Sequence, residues 1–247
     1  QHFAVLQPHS ALGMAILGPH YSAYEVARAD LRLARELDLV CSMHVGGGQA
    51  RTPDGFARLA DDGELGGHVN IVHGNDLPDE ALRRLVGSGA SVTVTPDVEL
   101  SMGFGDCLTG RLLALGARPS LGPDVESSNS GDMFVTLRMA LQAQRSLDNA
   151  AVLRDTGKTP AKVSIDCRAA LDWATIEGAR MALLDRRIGS LTPGKQADLI
   201  LLRADDLNLH PVIDPIHSIV LHAHAGNVDS VFIDGKPVER HGKLLYA

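Results

Sequence analysis

Apolar residues in the first half of the chain occur in short continuous runs, and polar segments with helical spacing separate them. Such runs are typical of parallel strands that helices cover. Val26, Ala29 and Leu33 are spaced as on one face of a helix that follows the first run. The pattern predicts a parallel sheet with helices outside it, with five strands near residues 11–17, 39–45, 69–73, 90–94 and 119–121.

The pattern changes after Leu184, where Gly and Pro interrupt shorter apolar segments. Asp234-Gly235 lies between two such segments and predicts a tight hairpin. The fold class is therefore α/β. Five strands are three fewer than a closed (β/α)8 barrel of the TIM type requires. We predict an incomplete barrel over residues 1–184 and a small C-terminal β-sandwich subdomain over residues 185–247.

Three of the predicted strands end at, or just before, a residue that could bind a metal ion. These residues are His44, His73 and Asp124. The C-terminal ends of barrel strands meet on one face, and imidazole and carboxylate groups there suggest a hydrolytic metal site. The alternative is that both histidines are hydrogen-bonded core residues and that Asp124 is a loop carboxylate. Glu99, after the fourth strand, could reach a substrate or could equally be a loop carboxylate.

Composition narrows the choice of partner and compartment. The net charge is -7, which argues against nucleic acid as a partner. No apolar stretch approaches the ~20 residues that span a membrane, so we expect no membrane partner. The three cysteines are odd in number and widely spaced, which favours reduced thiols in the cytoplasm. The chain begins with Gln1, so we expect that an N-terminal part is missing.

The order of these motifs resembles the metal-dependent amidohydrolase superfamily, in its branch of cytosine deaminases, S-adenosylhomocysteine deaminases and triazine hydrolases. After Asp124 the similarity continues in Ile188-Gly-Ser-Leu-x-Pro-Gly-Lys-x-Ala-Asp-Leu and in Val231-x-x-Asp-Gly-Lys. The resemblance implies an eight-stranded barrel and a β-sandwich built from both chain ends. It also implies one divalent metal ion, zinc or iron.

Specific roles follow from this resemblance. His44 and Asp124 would be metal ligands, and Asp124 would also accept a proton. His73 would hold the metal-bound water or the substrate at the same centre, and His20 would contact substrate. The chain departs from the family pattern in two places: it lacks the His-x-His pair of the first strand, and it has Gly47 where deaminases of this branch carry a glutamate.

We therefore expect a metal-dependent hydrolase of carbon–nitrogen bonds other than peptide bonds. The expected reaction is deamination of an aminated heterocycle, such as a nucleobase, nucleoside or triazine, by a metal-bound hydroxide. The alternatives are a non-catalytic or truncated relative without a complete metal site, and an N-acyl or imide hydrolase. A small-molecule substrate is expected, and the sequence leaves room for a homo-oligomer. We interpret His222-Ala-His224 as a solvated strand edge of the sandwich rather than a ligand pair.

Overall fold

Residues 11–245 are described by the structure, which is a computed structural model. Strands and helices alternate through the first half of this range. The strands there are β1 Gly13–Ile16, β2 Val40–Val45, β3 Val69–His73, β4 Ser91–Val94 and β5 Ser120–Leu121. The helices between them are α1 Gly18–Tyr21, α2 Tyr24–Glu36, α3 Gly55–Asp61, α4 Asp79–Gly87, α5 Pro96–Met102 and α6 Thr109–Ala114.

The five strands form one sheet in the order β1-β2-β3-β4-β5, and every neighbouring pair is parallel. This confirms the predicted α/β fold with a partial TIM-type barrel. Because all five strands run in one direction, their C-terminal ends lie at one edge of the sheet. Residues that end the strands or follow them are therefore brought together there.

The two faces of this sheet differ in chemistry. One face carries apolar side chains, such as Cys41, Met43 and Ile71, which are at most 1% exposed and belong to the main core. The other face carries a row of hydrogen-bonded polar groups. Asn70 donates to Ser42 Oγ at 3.0 Å and accepts from Thr93 Oγ1 at 3.0 Å. These bonds satisfy the polar groups that the sheet buries.

The helical region after the sheet begins with one long helix and two short ones. Helix α7 extends over Met133–Thr156, and Asp132 caps it by accepting from the Phe134 amide at 2.8 Å. The two short helices are α8 Cys167–Trp173 and α9 Ile176–Met181. Trp173 is 1% exposed in a second core cluster that joins α7 and α8 to residues 209–223. None of the helices in residues 11–245 is long and apolar enough to cross a membrane.

A second, antiparallel sheet follows in the order β6-β7-β8-β9. Asp234 and Gly235 both have positive φ in the turn between β7 and β8, as a tight hairpin turn requires, so the predicted hairpin is confirmed. The domain boundary near residue 184 stays a prediction. The remaining elements are β6 Leu199–Leu202, α10 Pro215–His217, a π-helical turn Ser218–His222, a 3-10 turn Ala225–Asn227, β7 Val228–Ile233, β8 Lys236–Arg240 and β9 Lys243–Leu244.

Candidate active site

A cavity of about 350 Å³ opens near the C-terminal ends of the first three strands. His44 from the end of β2 and His73 from the end of β3 both line it, and their ring centroids are 5.5 Å apart. Phe104 packs edge-on against His73 at 5.1 Å between centroids. The remaining lining residues are Ile16, Leu17 and Tyr21. The cavity therefore combines an apolar wall with two imidazoles.

His73 reaches this cavity because its backbone leaves the strand conformation. In the β2–β3 register His44 is opposite Val72, and His73 is opposite Val45, whose side chain lies in the apolar core. Regular alternation would therefore direct His73 away from His44. Its φ is +67°, in the left-handed region, and its ring lies near that of His44 instead.

Asp124 lies just beyond β5 and faces the same histidine. Its Oδ2 is 3.5 Å from His73 Nε2, and the two side chains are 14% and 6% exposed. Asp124 also has a positive φ, +60°. Left-handed backbone in residues other than glycine costs about 1–3 kcal/mol and occurs preferentially at functional sites. Two such residues facing each other indicate that this edge of the sheet is shaped for function.

The opposite nitrogen of His73 contacts buried polar groups. Thr95 Oγ1 is 2.9 Å from Nδ1, and Glu99 Oε1 is 3.4 Å from it. Glu99 is held in turn by the Thr95 amide, which donates to Oε1 at 2.8 Å, and by Asn75 Nδ2, which donates to Oε2 at 3.3 Å. The contacts at Nδ1 thereby hold the imidazole with Nε2 directed at Asp124.

His20 and Glu99, the two predicted substrate contacts, are both buried. Glu99 is 1% exposed, because the short helix α5 after Pro96 turns it inward, and both of its oxygens face protein groups. His20 is 5% exposed in α1 and packs against the Tyr21 ring; it does not line the cavity. Direct substrate contact by His20 or Glu99 stays a prediction that this placement does not favour.

Three residues at the site escaped the sequence analysis. Tyr21 donates a hydrogen bond from its hydroxyl to the Gly46 carbonyl, Phe104 packs on His73, and Thr95 contacts Nδ1. The position of Thr95 directly after β4 was the available signal, since strand ends define this edge. Tyr21 ends α1 and Phe104 lies shortly after α5, and neither position carried a comparable signal.

The His222-Ala-His224 segment is not a strand, contrary to the sequence interpretation. His222 ends the π-helical turn, and His224 caps the following 3-10 turn by accepting from the Gly226 amide at 3.0 Å. Both residues are exposed, as expected. The strand interpretation failed because local caps, rather than sheet pairing, satisfy this backbone.

Gly47 has a structural reason to be glycine. Its φ is +81°, and a β-carbon there would be 3.8 Å from both Phe104 and the Tyr21 hydroxyl. A glutamate at this position would be strained even though space exists. The local backbone therefore favours glycine over the glutamate that deaminases of this branch carry.

The donor atoms at this edge suit a divalent metal ion in part. Zinc binds imidazole nitrogen and carboxylate oxygen at about 2.0–2.2 Å, so two ligands of a tetrahedral ion are about 3.4 Å apart. The 3.5 Å between His73 Nε2 and Asp124 Oδ2 agrees with that spacing. Histidine ligands typically donate the other ring N–H to a carboxylate or similar group, as Thr95 and Glu99 would permit. Within residues 11–245, however, no three His, Cys, Asp or Glu side chains form a group that could hold a metal.

Comparison with known proteins identifies the family. Residues 81–238, more than half of the chain, match the model of the Amidohydrolase family. The chain is 36% identical over 188 residues to 5-methylthioadenosine/S-adenosylhomocysteine deaminase of Teredinibacter turnerae. The aligned region covers 76% of this chain and 40% of that protein. The chain is also 36% identical over 175 residues to 8-oxoguanine deaminase of Pseudomonas aeruginosa, covering 70% and 36% respectively. The chain thus spans less than half the length of these two relatives.

The fold agrees with this similarity. The structure matches a crystal structure of an adenosine deaminase from Xanthomonas campestris with bound zinc, with a TM-score of 0.83 and 25% identity. The match covers 100% of this chain and 55% of that one. The parallel sheet, the motif order and the family match agree, and the chain belongs to the amidohydrolase family.

Proposed function

We propose that this chain forms part of a metal-dependent hydrolase that deaminates an aminated heterocycle. The observation that carries the proposal is the pair of His73 Nε2 and Asp124 Oδ2, 3.5 Å apart at the C-terminal edge of the parallel sheet. The names of the two curated relatives, both deaminases of purine compounds, favour a purine nucleobase or nucleoside as the small-molecule substrate. The three buried free cysteines are consistent with a cytoplasmic protein.

His44, His73 and Asp124 are the residues that would hold the metal ion, zinc or iron. A divalent ion, when bound, would lower the pKa of a water molecule to about 7 and so provide hydroxide at neutral pH. The bound zinc of the adenosine deaminase structure supports zinc as the first ion to test. Two observations support this assignment: His73 pairs with Asp124, and His73 lines a cavity together with His44.

The side chains of the chain would carry the proton transfers. Asp124 accepts the proton that the attacking water loses and passes it to the leaving nitrogen, as a positioned carboxylate can. His73 orients the attacking water. The carbon–oxygen bond forms first; the carbon–nitrogen bond then breaks as the leaving nitrogen takes the proton from Asp124, and ammonia leaves. The apolar wall of Ile16, Leu17 and Phe104 suits the flat face of a heterocycle.

The test is ammonia release from purine nucleosides and 8-oxoguanine, with zinc added. Asp124→Asn keeps the size of the side chain but removes the proton acceptor, and turnover should fall by at least ~10²-fold. His222→Ala is the control, because His222 is exposed in the π-helical turn and should leave turnover unchanged. Equal turnover of Asp124→Asn and the unaltered protein would rule out the proposed role of Asp124.

A second candidate is the same scaffold without hydrolytic activity. The observation in its favour is that no three-ligand metal group forms within the described residues. Zinc analysis of the purified protein separates the two candidates. Stoichiometric zinc that Asp124→Asn loses supports the hydrolase. No zinc and no ammonia release from any substrate supports the inactive scaffold.

A further inference from the structure

We propose that Thr95 and Glu99 are positioning residues that hold His73 in the tautomer with its proton on Nδ1. Nε2 then presents a lone pair to Asp124. Glu99 is 1% exposed and lies in α5, directly behind the His73 ring. The role of this tautomer in catalysis rests on the proposed function, whereas the tautomer itself is inferred from hydrogen bonds alone.

Glu99 Oε1 is fixed as a hydrogen-bond acceptor. The Thr95 backbone amide donates to it at 2.8 Å, and an amide cannot reverse its role. Asn75 Nδ2 donates to the second oxygen at 3.3 Å. Both oxygens of Glu99 therefore accept hydrogen bonds from groups that can only donate. The Asn75 amide also donates to the Asp106 carbonyl at 3.0 Å, which fixes its orientation.

The Thr95 hydroxyl links Glu99 to His73, and its hydrogen bond to Glu99 decides how it can bond to the histidine. A hydroxyl has one proton to donate. Thr95 Oγ1 donates it to Glu99 Oε1 at 3.3 Å and is left as an acceptor toward His73 Nδ1 at 2.9 Å. Glu99 Oε1 lies 3.4 Å from the same nitrogen and is also an acceptor. Two acceptors on one side of the ring favour a proton on Nδ1.

The consequence appears on the other side of the ring. A neutral imidazole carries one N–H, so Nε2 is unprotonated when Nδ1 is protonated. Nε2 and Asp124 Oδ2 then face each other at 3.5 Å as two acceptors. Such a pair attracts a group that brings positive charge or protons, such as a divalent ion, a water molecule or a substrate amino group. The tautomer therefore prepares the site to receive its reactant.

Nitrogen-15 NMR of histidine-labelled chain at pH 8, without metal or substrate, tests the tautomer directly. The His73 signals are assigned by their loss in His73→Gln. We expect a protonated Nδ1 and an unprotonated Nε2. A proton on Nε2, or on both nitrogens, would overturn the proposal, because the ring would then donate to Asp124.

Three variants test whether Thr95 sets the tautomer. Thr95→Ser keeps the hydroxyl and should keep the wild-type signals. Thr95→Val has nearly the same shape but no hydroxyl, and it should show a mixture of both tautomers. Thr95→Ala is the second hydroxyl-free variant in case the valine variant does not fold, as judged by circular dichroism. Wild-type signals in a folded hydroxyl-free variant would overturn the role of Thr95.

Activity gives a separate readout. If the protein is a deaminase, kcat of Thr95→Val should fall by about 10–100-fold with little change in KM, while Thr95→Ser stays near the wild type. The NMR result does not depend on any activity. An inactive protein with the expected tautomer would therefore refute the proposed function alone, and an active one with a proton on Nε2 would refute only the positioning role.

Discussion

Glu64 is a buried carboxylate whose removal should measurably destabilise the protein. Its side chain is 3% exposed and accepts from Arg32 Nε at 2.6 Å, Arg28 Nε at 3.2 Å and Arg35 Nη1 at 3.3 Å. Burial alone would raise the pKa of this carboxyl, but the hydrogen bonds from Arg32 and Arg28 outweigh burial and hold the pKa below its ordinary value. The folded state therefore stabilises the charged form.

Glu64→Gln keeps the shape and one accepting oxygen but removes the charge. A hydrogen bond to a charged group contributes about 1.5–3 kcal/mol, and we expect a loss of unfolding free energy in that range. The larger ~3–5 kcal/mol seen when a fully buried pair is broken does not apply, because the arginine side chains are 32–50% exposed and regain water. Urea unfolding followed by circular dichroism measures the difference.

The pH dependence gives the sharper test. A carboxyl whose folded pKa is lowered stabilises the fold fully above its ordinary pKa of 4.5, and this contribution is lost as the pH falls through the lowered value. The difference in unfolding free energy between the wild type and Glu64→Gln should have its full size at pH 7 and become smaller below about pH 4. Glu80→Gln is the matched control: Glu80 also pairs with two arginines but is 64% exposed, and its loss should be within experimental error. Equal effects of the two variants, or a difference that does not change with pH, would refute the reasoning.

Two further predictions concern the thiols and the glycine loop. Burial raises the pKa of the Cys41 thiol to about 11, so at pH 8 about one molecule in a thousand carries the thiolate at this residue. We therefore expect a thiol reagent to label none of the three buried cysteines in the native chain and all three in denaturant. Rapid native labelling at Cys41 would contradict this burial. Gly47→Glu should destabilise the fold by about 1–3 kcal/mol because φ is +81°, whereas Gly87→Glu, at the end of α4 with nothing within 4 Å, should not. Equal melting temperatures for these two variants would show that the strain at Gly47 is absent.

The order of elements was predictable because it depends on local patterns. Continuous apolar runs indicate strands buried on both faces, and Asp234-Gly235 suits a turn with positive φ at both positions. The runs near His44, His73 and Asp124 were therefore located correctly. Helix limits were less predictable: α7 continues to Thr156 and ends at Gly157, whose φ is +67° and whose amide donates to the Leu153 carbonyl.

The orientation of the site residues could be decided only by the tertiary structure. Strand alternation would have separated His73 from His44, and only the positive φ at His73 brings the two rings to 5.5 Å. Glu99 is buried because of α5, a short helix that begins at Pro96 directly after the fourth strand. The sequence determined which chemical groups reach this edge of the sheet, because the position of each strand along the chain depends on local patterns. Their directions depend on contacts between residues far apart in the chain, such as Thr95 with His73, and these exist only once the sheet has formed.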